Sequence, residues 1–207
     1  MSKPRFEAAE ARAVSHAEPD DLQYLMHHAT LPDTRFSRVV DGALRALGRA
    51  MSWMWLALMV VIVLNVTMKN VFGDGRVEFE EIQWHIYSAL FMLGLSVTLV
   101  NDEHVRVDLL YEHFSLRTKA WIEFFGIVGL LLPFAAMLFW YAVPFVVDAF
   151  ETAERSASPA GLSHRWVIKS ALLAGVGLLA LAALARLHRV AALLFLGLAP
   201  NTRAQEV

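Results

Sequence analysis

The side chains in this chain most suited to chemistry are its histidines, which can bind haem iron or a metal ion. The sequence holds 8 histidines and no cysteine, so thiolate ligands are excluded. His85 lies at one end of the second long apolar run, whereas His188 lies at the opposite membrane face, past the fourth run. Two histidines on opposite faces cannot bind one iron. We therefore expect these two residues, and His104, His113 and His164 in loops, to be interfacial hydrogen-bonding groups, and we expect no cofactor.

An acidic cluster of Glu78, Glu80 and Glu81 comes just before the second apolar run. A cation site would need oxygen ligands that converge on one point, but adjacent residues on a helix diverge by about 100°. Acidic residues are also favoured electrostatically at a helix N-terminus. We therefore predict a favourable charge placement rather than a metal site, with Glu80 available to a basic residue on a partner.

Four long apolar runs dominate the chain, whose 207 residues are 57% hydrophobic and 18% charged. A helix needs roughly 20 apolar residues to cross about 30 Å of hydrocarbon. No ionisable group lies in the middle of a run, so no catalytic or ion-coordinating set is predicted. We predict an all-α integral membrane protein, with a transmembrane domain over 51–198 and spans at about 52–68, 82–100, 122–147 and 166–187.

The segments outside the spans are short. Residues 1–33 are polar and predicted to be a flexible tail, and 199–207 form a second tail. Residues 34–50 carry apolar side chains at helical spacing among arginines, which predicts a basic amphipathic helix with Thr34 or Ser37 as its cap. This helix would lie in the membrane interface before the first span. The alternative is a cytoplasmic extension of the first transmembrane helix.

The distribution of Lys and Arg predicts the orientation. The N-terminal tail, the second loop and the C-terminal end hold seven, three and three of these residues, against two and three in the first and third loops. Because positive charge collects on the cytoplasmic side, both termini are predicted to be cytoplasmic. The net charge of −2 gives no indication of nucleic-acid binding.

Two segments have more specific patterns. The first reads HVRVDLL over residues 104–110, just after the second span, and the second reads ERSASPAGLSHRWVIK over residues 154–169. In this order, on these loops and with four spans, they resemble the small, four-helix, Q-type permease subunit of tripartite ATP-independent periplasmic (TRAP) transporters. The resemblance covers roughly residues 45–190.

The resemblance implies a non-catalytic subunit of the bacterial inner membrane that scaffolds a large permease subunit. That subunit would take up an organic anion, commonly a carboxylate, with a sodium gradient after delivery by a periplasmic binding protein. The expected partners are these two proteins and membrane lipids. The expected partner contacts are His104, Arg106, Asp108, Glu154, Ser156, Arg165, Trp166 and Lys169, together with Glu80.

Two other classes of protein fit four apolar runs. A membrane anchor of a redox complex would show a haem absorbance band. A self-sufficient small efflux protein would want an acidic residue within an early span, where Asn65 is the one polar candidate in the first run.

The predicted orientation can be tested with alkaline phosphatase, which is active only outside the cytoplasm. A fusion at the C-terminus is expected to be inactive, and a fusion in the loop around residue 158 is expected to be active. An active C-terminal fusion would contradict the orientation.

Overall fold

The computed structural model describes residues 32, 34–73, 75–101, 116–158 and 161–196. These residues form four long helices, and among them the only β pairing is one isolated bridge. Helix α1 is Arg35–Val71, α2 is Val77–Asn101 and α4 is Trp166–Leu196. Helix α3 is continuous but has three parts, Leu116–Gly126, the π-helical Ile127–Leu131 and Leu132–Glu151. All four are long and apolar enough to cross a membrane, which confirms the predicted all-α, four-span class.

The helices are longer than the predicted spans. Helix α4 continues to Leu196, beyond the predicted end at residue 187, because the apolar segment after Arg189 extends the helix. Its 31 residues correspond to about 46 Å, more than the ~30 Å of hydrocarbon. The extra turns must therefore lie at headgroup level or beyond it.

The predicted amphipathic segment is part of α1. The 37-residue helix runs without a break from Arg35 into the first span, so this segment is a continuation of the first transmembrane helix. Thr34 caps this helix, because its Oγ1 accepts a hydrogen bond from the backbone N–H of Ser37 at 3.2 Å. Val40 and Leu44 are buried, as their helical spacing predicts. The position of this segment in the membrane interface stays a prediction.

The π-helical part of α3 has an identifiable cause. Pro133 has no N–H, and in an α-helix its ring would clash with the carbonyl of Gly129 four residues earlier. The helix widens just before this proline, and the N–H of Leu132 donates to the carbonyl of Ile127, five residues back. A π-bulge thus keeps the helix continuous through a residue that would otherwise kink it.

The described residues belong to two compact units. One comprises residues 34–40, 116–132 and 183–196, and its core is formed by Ala120, Val190 and Leu193. The other comprises 41–101 and the rest of α3, the α3–α4 loop and α4 up to residue 182, with a core around Met51, Leu58 and Leu90.

In the second unit, α2 and α4 approach so closely that only glycine fits at position 175. A Cβ placed on Gly175 would lie 2.7 Å from both the Cβ and the carbonyl oxygen of Met92. Backbone atoms of α2 cannot move aside as the end of a flexible side chain can. Small residues at such contacts are typical of membrane helix pairs, where van der Waals packing replaces the hydrophobic effect as the main source of association.

This contact predicts that alanine changes the stability of the protein differently at two glycines. Gly175→Ala should destabilise the purified protein by about 1–3 kcal/mol, the usual cost of overpacking. Gly94→Ala is the control, since nothing lies within 4 Å of its added Cβ, and better helix propensity should leave stability unchanged or raised. Thermal unfolding in one detergent measures both, and equal midpoints would contradict the close contact.

Candidate functional site

The loop between α3 and α4, residues 152–165, is held against α2 by the carboxylate of Glu81. The hydroxyl of Ser156 donates to Glu81 Oε1, and the backbone N–H of Leu162 donates to Glu81 Oε2 at 2.5 Å. We call these three residues the loop clasp. Hydrogen bonds to a charged acceptor are stronger than those between neutral groups, and one side chain fixes two points of the loop. Within α2, the side chain of His85, one turn later, donates a hydrogen bond from Nδ1–H to the backbone carbonyl of Glu81 at 2.6 Å.

The backbone of the loop is folded so that both points reach Glu81. Arg155 and Ser163 form an isolated antiparallel bridge, and the N–H of Ser156 donates to the carbonyl of Leu162 at 3.2 Å. Gly161 must be glycine, because a Cβ there would overlap Ser156 and the Glu81 carboxylate. His164 has a φ of 70°, which is uncommon for a residue with a side chain. The surrounding contacts therefore hold the loop in one specific conformation.

A second group of charges ties the two ends of the loop together. The carboxylate of Glu154 pairs with the ammonium of Lys169 in the first turn of α4, and Arg165 Nε lies 4.0 Å from its other oxygen. Lys169 is only 13% exposed, and its Nζ also sits 3.9 Å from the centre of the Phe145 ring. A charge this well covered is worth more than an open surface pair, which contributes ~0–1 kcal/mol. We call Glu154, Arg165 and Lys169 the loop ion triad.

Aromatic side chains pack beside this triad. Phe150 in the last turn of α3 meets Trp166 in the first turn of α4, edge to face, with ring centres 5.6 Å apart. Such pairs add about 0.5–1.5 kcal/mol beyond the area that they bury. The ends of α3 and α4 that meet at the loop are therefore joined by an aromatic pair, and the ion pair ties the start of the loop to α4.

The other unit contains a second ion pair between the same two helices. The guanidinium of Arg186 in α4 pairs with the carboxylate of Glu123 in α3, and the two side chains are 6% and 17% exposed. Trp121 meets Phe195 beside it, with ring centres 6.0 Å apart. Along α4, Arg186 is 20 residues from Trp166, which is about 30 Å of helix and the thickness of the hydrocarbon. The pair thus belongs at a membrane boundary rather than at the centre.

The structure brings several of the predicted contact residues together inside the chain. Glu154, Arg165 and Lys169 form the triad, Ser156 belongs to the loop clasp, and Trp166 packs on Phe150. Glu80 lies 3.9 Å from Lys69, and both side chains are more than half exposed. The predicted contacts at His104, Arg106 and Asp108 lie outside the described residues.

Sequence reasoning did not identify Glu81, Glu123 or Arg186 as key residues. Glu81 was one of three nearby acids, and no local pattern shows that a loop some 75 residues away completes its bonds. For Glu123 and Arg186 there was a usable signal, since opposite charges flank the same membrane face at the ends of consecutive spans. Among the described residues, no three acids or histidines are grouped to hold a metal ion.

Fold and site together define a four-helix, multi-pass membrane protein in which Glu123 pairs with Arg186, and Glu154 with Lys169, near the ends of the apolar runs. The family model described as "Tripartite ATP-independent periplasmic transporters, DctQ component" matches residues 58–193. The match includes most of the four spans and the loops between them, and the chain belongs to this family, the small permease component of TRAP transporters. The family consists of transporter components rather than enzymes. A comparison with curated proteins finds no match.

The loop clasp predicts that Glu81 protects the loop from proteolysis. Glu81→Ala should speed tryptic cleavage after the exposed Arg155 by about tenfold, because losing both hydrogen bonds favours local opening of the loop. The matched control is Glu80→Ala, which removes only an exposed pair. Mass spectrometry monitors the cleavage. If the two variants are cleaved at the same rate, the loop clasp does not hold the loop.

Proposed function

We propose that this chain is the scaffold of a TRAP-type secondary transporter of the bacterial inner membrane. It holds a large permease subunit in place for sodium-driven uptake of an organic anion, a carboxylate in the simplest case, delivered by a periplasmic binding protein. Membership of the DctQ component family is the observation that carries this proposal.

The distribution of charge supports a role without chemistry of its own. A pump or relay places ionisable groups within the membrane, where burying them is costly. In the described spans the charged side chains lie near the ends of the apolar runs, and Glu123 and Arg186 neutralise each other there. A subunit built in this way can position a partner but has no described residues in place to carry protons or ions.

The α3–α4 loop supports contact with partners on the periplasmic side, given the orientation that the Lys and Arg distribution predicts. Glu154, Arg165 and Lys169 are proposed partner contacts, and because they pair with each other they also shape the loop that a partner would meet. Arg155, Ser163 and His164 are exposed along its rim and are the side chains that a docked binding protein would meet. On the cytoplasmic side, His104, Arg106 and Asp108 are proposed contacts with the large subunit.

Reconstitution tests the proposal. The large subunit should co-purify with this chain, and proteoliposomes holding both should take up a carboxylate only with its loaded binding protein and an inward sodium gradient. The carboxylate is chosen by a thermal-shift screen on the purified binding protein. Omitting this chain should abolish uptake, and undiminished uptake by the large subunit alone would refute the scaffold role.

A further inference from the structure

One face of α3 presents polar groups at a depth where lipid cannot satisfy them. The exposed residues Pro133, Ala136, Met137, Trp140, Tyr141 and Pro144 recur at helical spacing and form what we call the α3 outer face. The opposite side of the helix is buried at Ala135, Ala142 and Ala149. All of these residues belong to the same compact unit. Among the described residues of this unit, the α3 outer face is thus a side of the helix that no other segment covers.

Trp140 and Tyr141 are the unusual residues on this face, with 77% and 68% of their surfaces exposed. Trp140 lies eight residues from Asp148, the charge that ends the third apolar run, and so about 12 Å inside it. Side chains of a helix lean toward its N-terminus, which for α3 is away from Asp148. These two rings therefore extend deeper into the hydrocarbon instead of back to the headgroups.

Four other tryptophans of the chain lie where an indole N–H can find a hydrogen-bond acceptor. Trp53, Trp84, Trp121 and Trp166 lie near the ends of apolar runs, where headgroups and water accept hydrogen bonds from an indole. Trp140 has no such acceptors at its depth. No hydrogen bond to another residue involves its side chain or that of Tyr141 in the part of the chain that the structure describes.

Pro144 adds an acceptor to these two donors. Proline has no N–H, so the carbonyl of Trp140, four residues earlier, lacks the donor that an α-helix normally supplies. The patch therefore holds an indole N–H, a phenolic O–H and an under-satisfied carbonyl within one turn of helix. Acyl chains offer no hydrogen-bonding groups, and each unsatisfied group in the bilayer core costs several kcal/mol.

We infer that the α3 outer face is covered by a transmembrane helix of the large permease subunit, with hydrogen-bonding groups at the level of Trp140 and Tyr141. The inference rests on the proposed function for the identity of the partner. Ala136 and the two prolines have small side chains, which allows a second helix to approach this face closely. A helix can supply hydroxyl or carboxamide groups at a fixed depth, whereas a lipid tail cannot.

Photocrosslinking and matched substitutions test the inference in the co-expressed complex. With p-benzoylphenylalanine at position 141, ultraviolet light should join this chain to the large subunit. The double variant Trp140→Phe, Tyr141→Phe keeps an aromatic ring at each position but removes both donors. It should weaken co-purification about tenfold, the loss expected for two hydrogen bonds of ordinary net strength. Trp53→Phe makes the same change at a 74% exposed indole near a run end and should have no effect.

The outcomes separate the inference from the function on which it rests. If the wild-type complex forms but the probe at position 141 labels only lipid, the face is lipid-exposed and the inference is wrong. An adduct between two copies of this chain would overturn it as well, because the face would then be a contact between copies. If the wild-type chain does not co-purify with the large subunit at all, both the inference and the proposed function fail.

Discussion

Backbone hydrogen bonding within hydrocarbon is the constraint on which the rest of this structure depends. Because lipid offers no partners, each crossing segment must satisfy its own N–H and C=O groups, and a helix does this. The two prolines of α3 show how the chain handles the exceptions. Just before Pro133 the helix makes a π-turn, in which the N–H of Leu132 donates to the carbonyl of Ile127, five residues back. Pro144 lies inside the α-helical part, where the missing N–H leaves a carbonyl to be satisfied from elsewhere.

The low polarity of hydrocarbon also explains why charges near the ends of the apolar runs are paired. A buried ion pair adds little net stability, but removing one partner leaves the other charge buried without a partner and costs about 3–5 kcal/mol. Glu123 and Arg186 are in this situation, since both are largely buried. Such a pair gives little net stability yet strongly penalises arrangements in which α3 and α4 are shifted against each other. Its main effect is thus on which helix packing is allowed.

Much of the fold could be predicted from sequence because hydrophobic run length is a direct physical signal. The four spans, the Thr34 cap and the buried Val40 and Leu44 all follow from local patterns. Residues such as Glu81 could not be assigned, because their role depends on a loop far away in the chain. The extension of α4 to Leu196 was also ambiguous, since apolar residues beyond a charged cluster suit either a helix or a surface segment. The contacts expected at Glu154, Arg165 and Lys169 stay a prediction for partners, while their pairing within the chain is a tertiary feature.

A scaffold in a membrane has to be stiff without the hydrophobic effect that stabilises soluble proteins. Lipid tails are as apolar as leucine, so helices separate unless close packing and polar bonds hold them. In the unit that carries the α3–α4 loop, α2 and α4 meet at Gly175, the loop is bonded to α2 through Glu81, and the loop is joined to α4 through Glu154 and Lys169. These links connect three different segments, so α2 and α4 cannot slide against each other or against the loop without breaking one of them. The described part of the loop keeps its shape as a result.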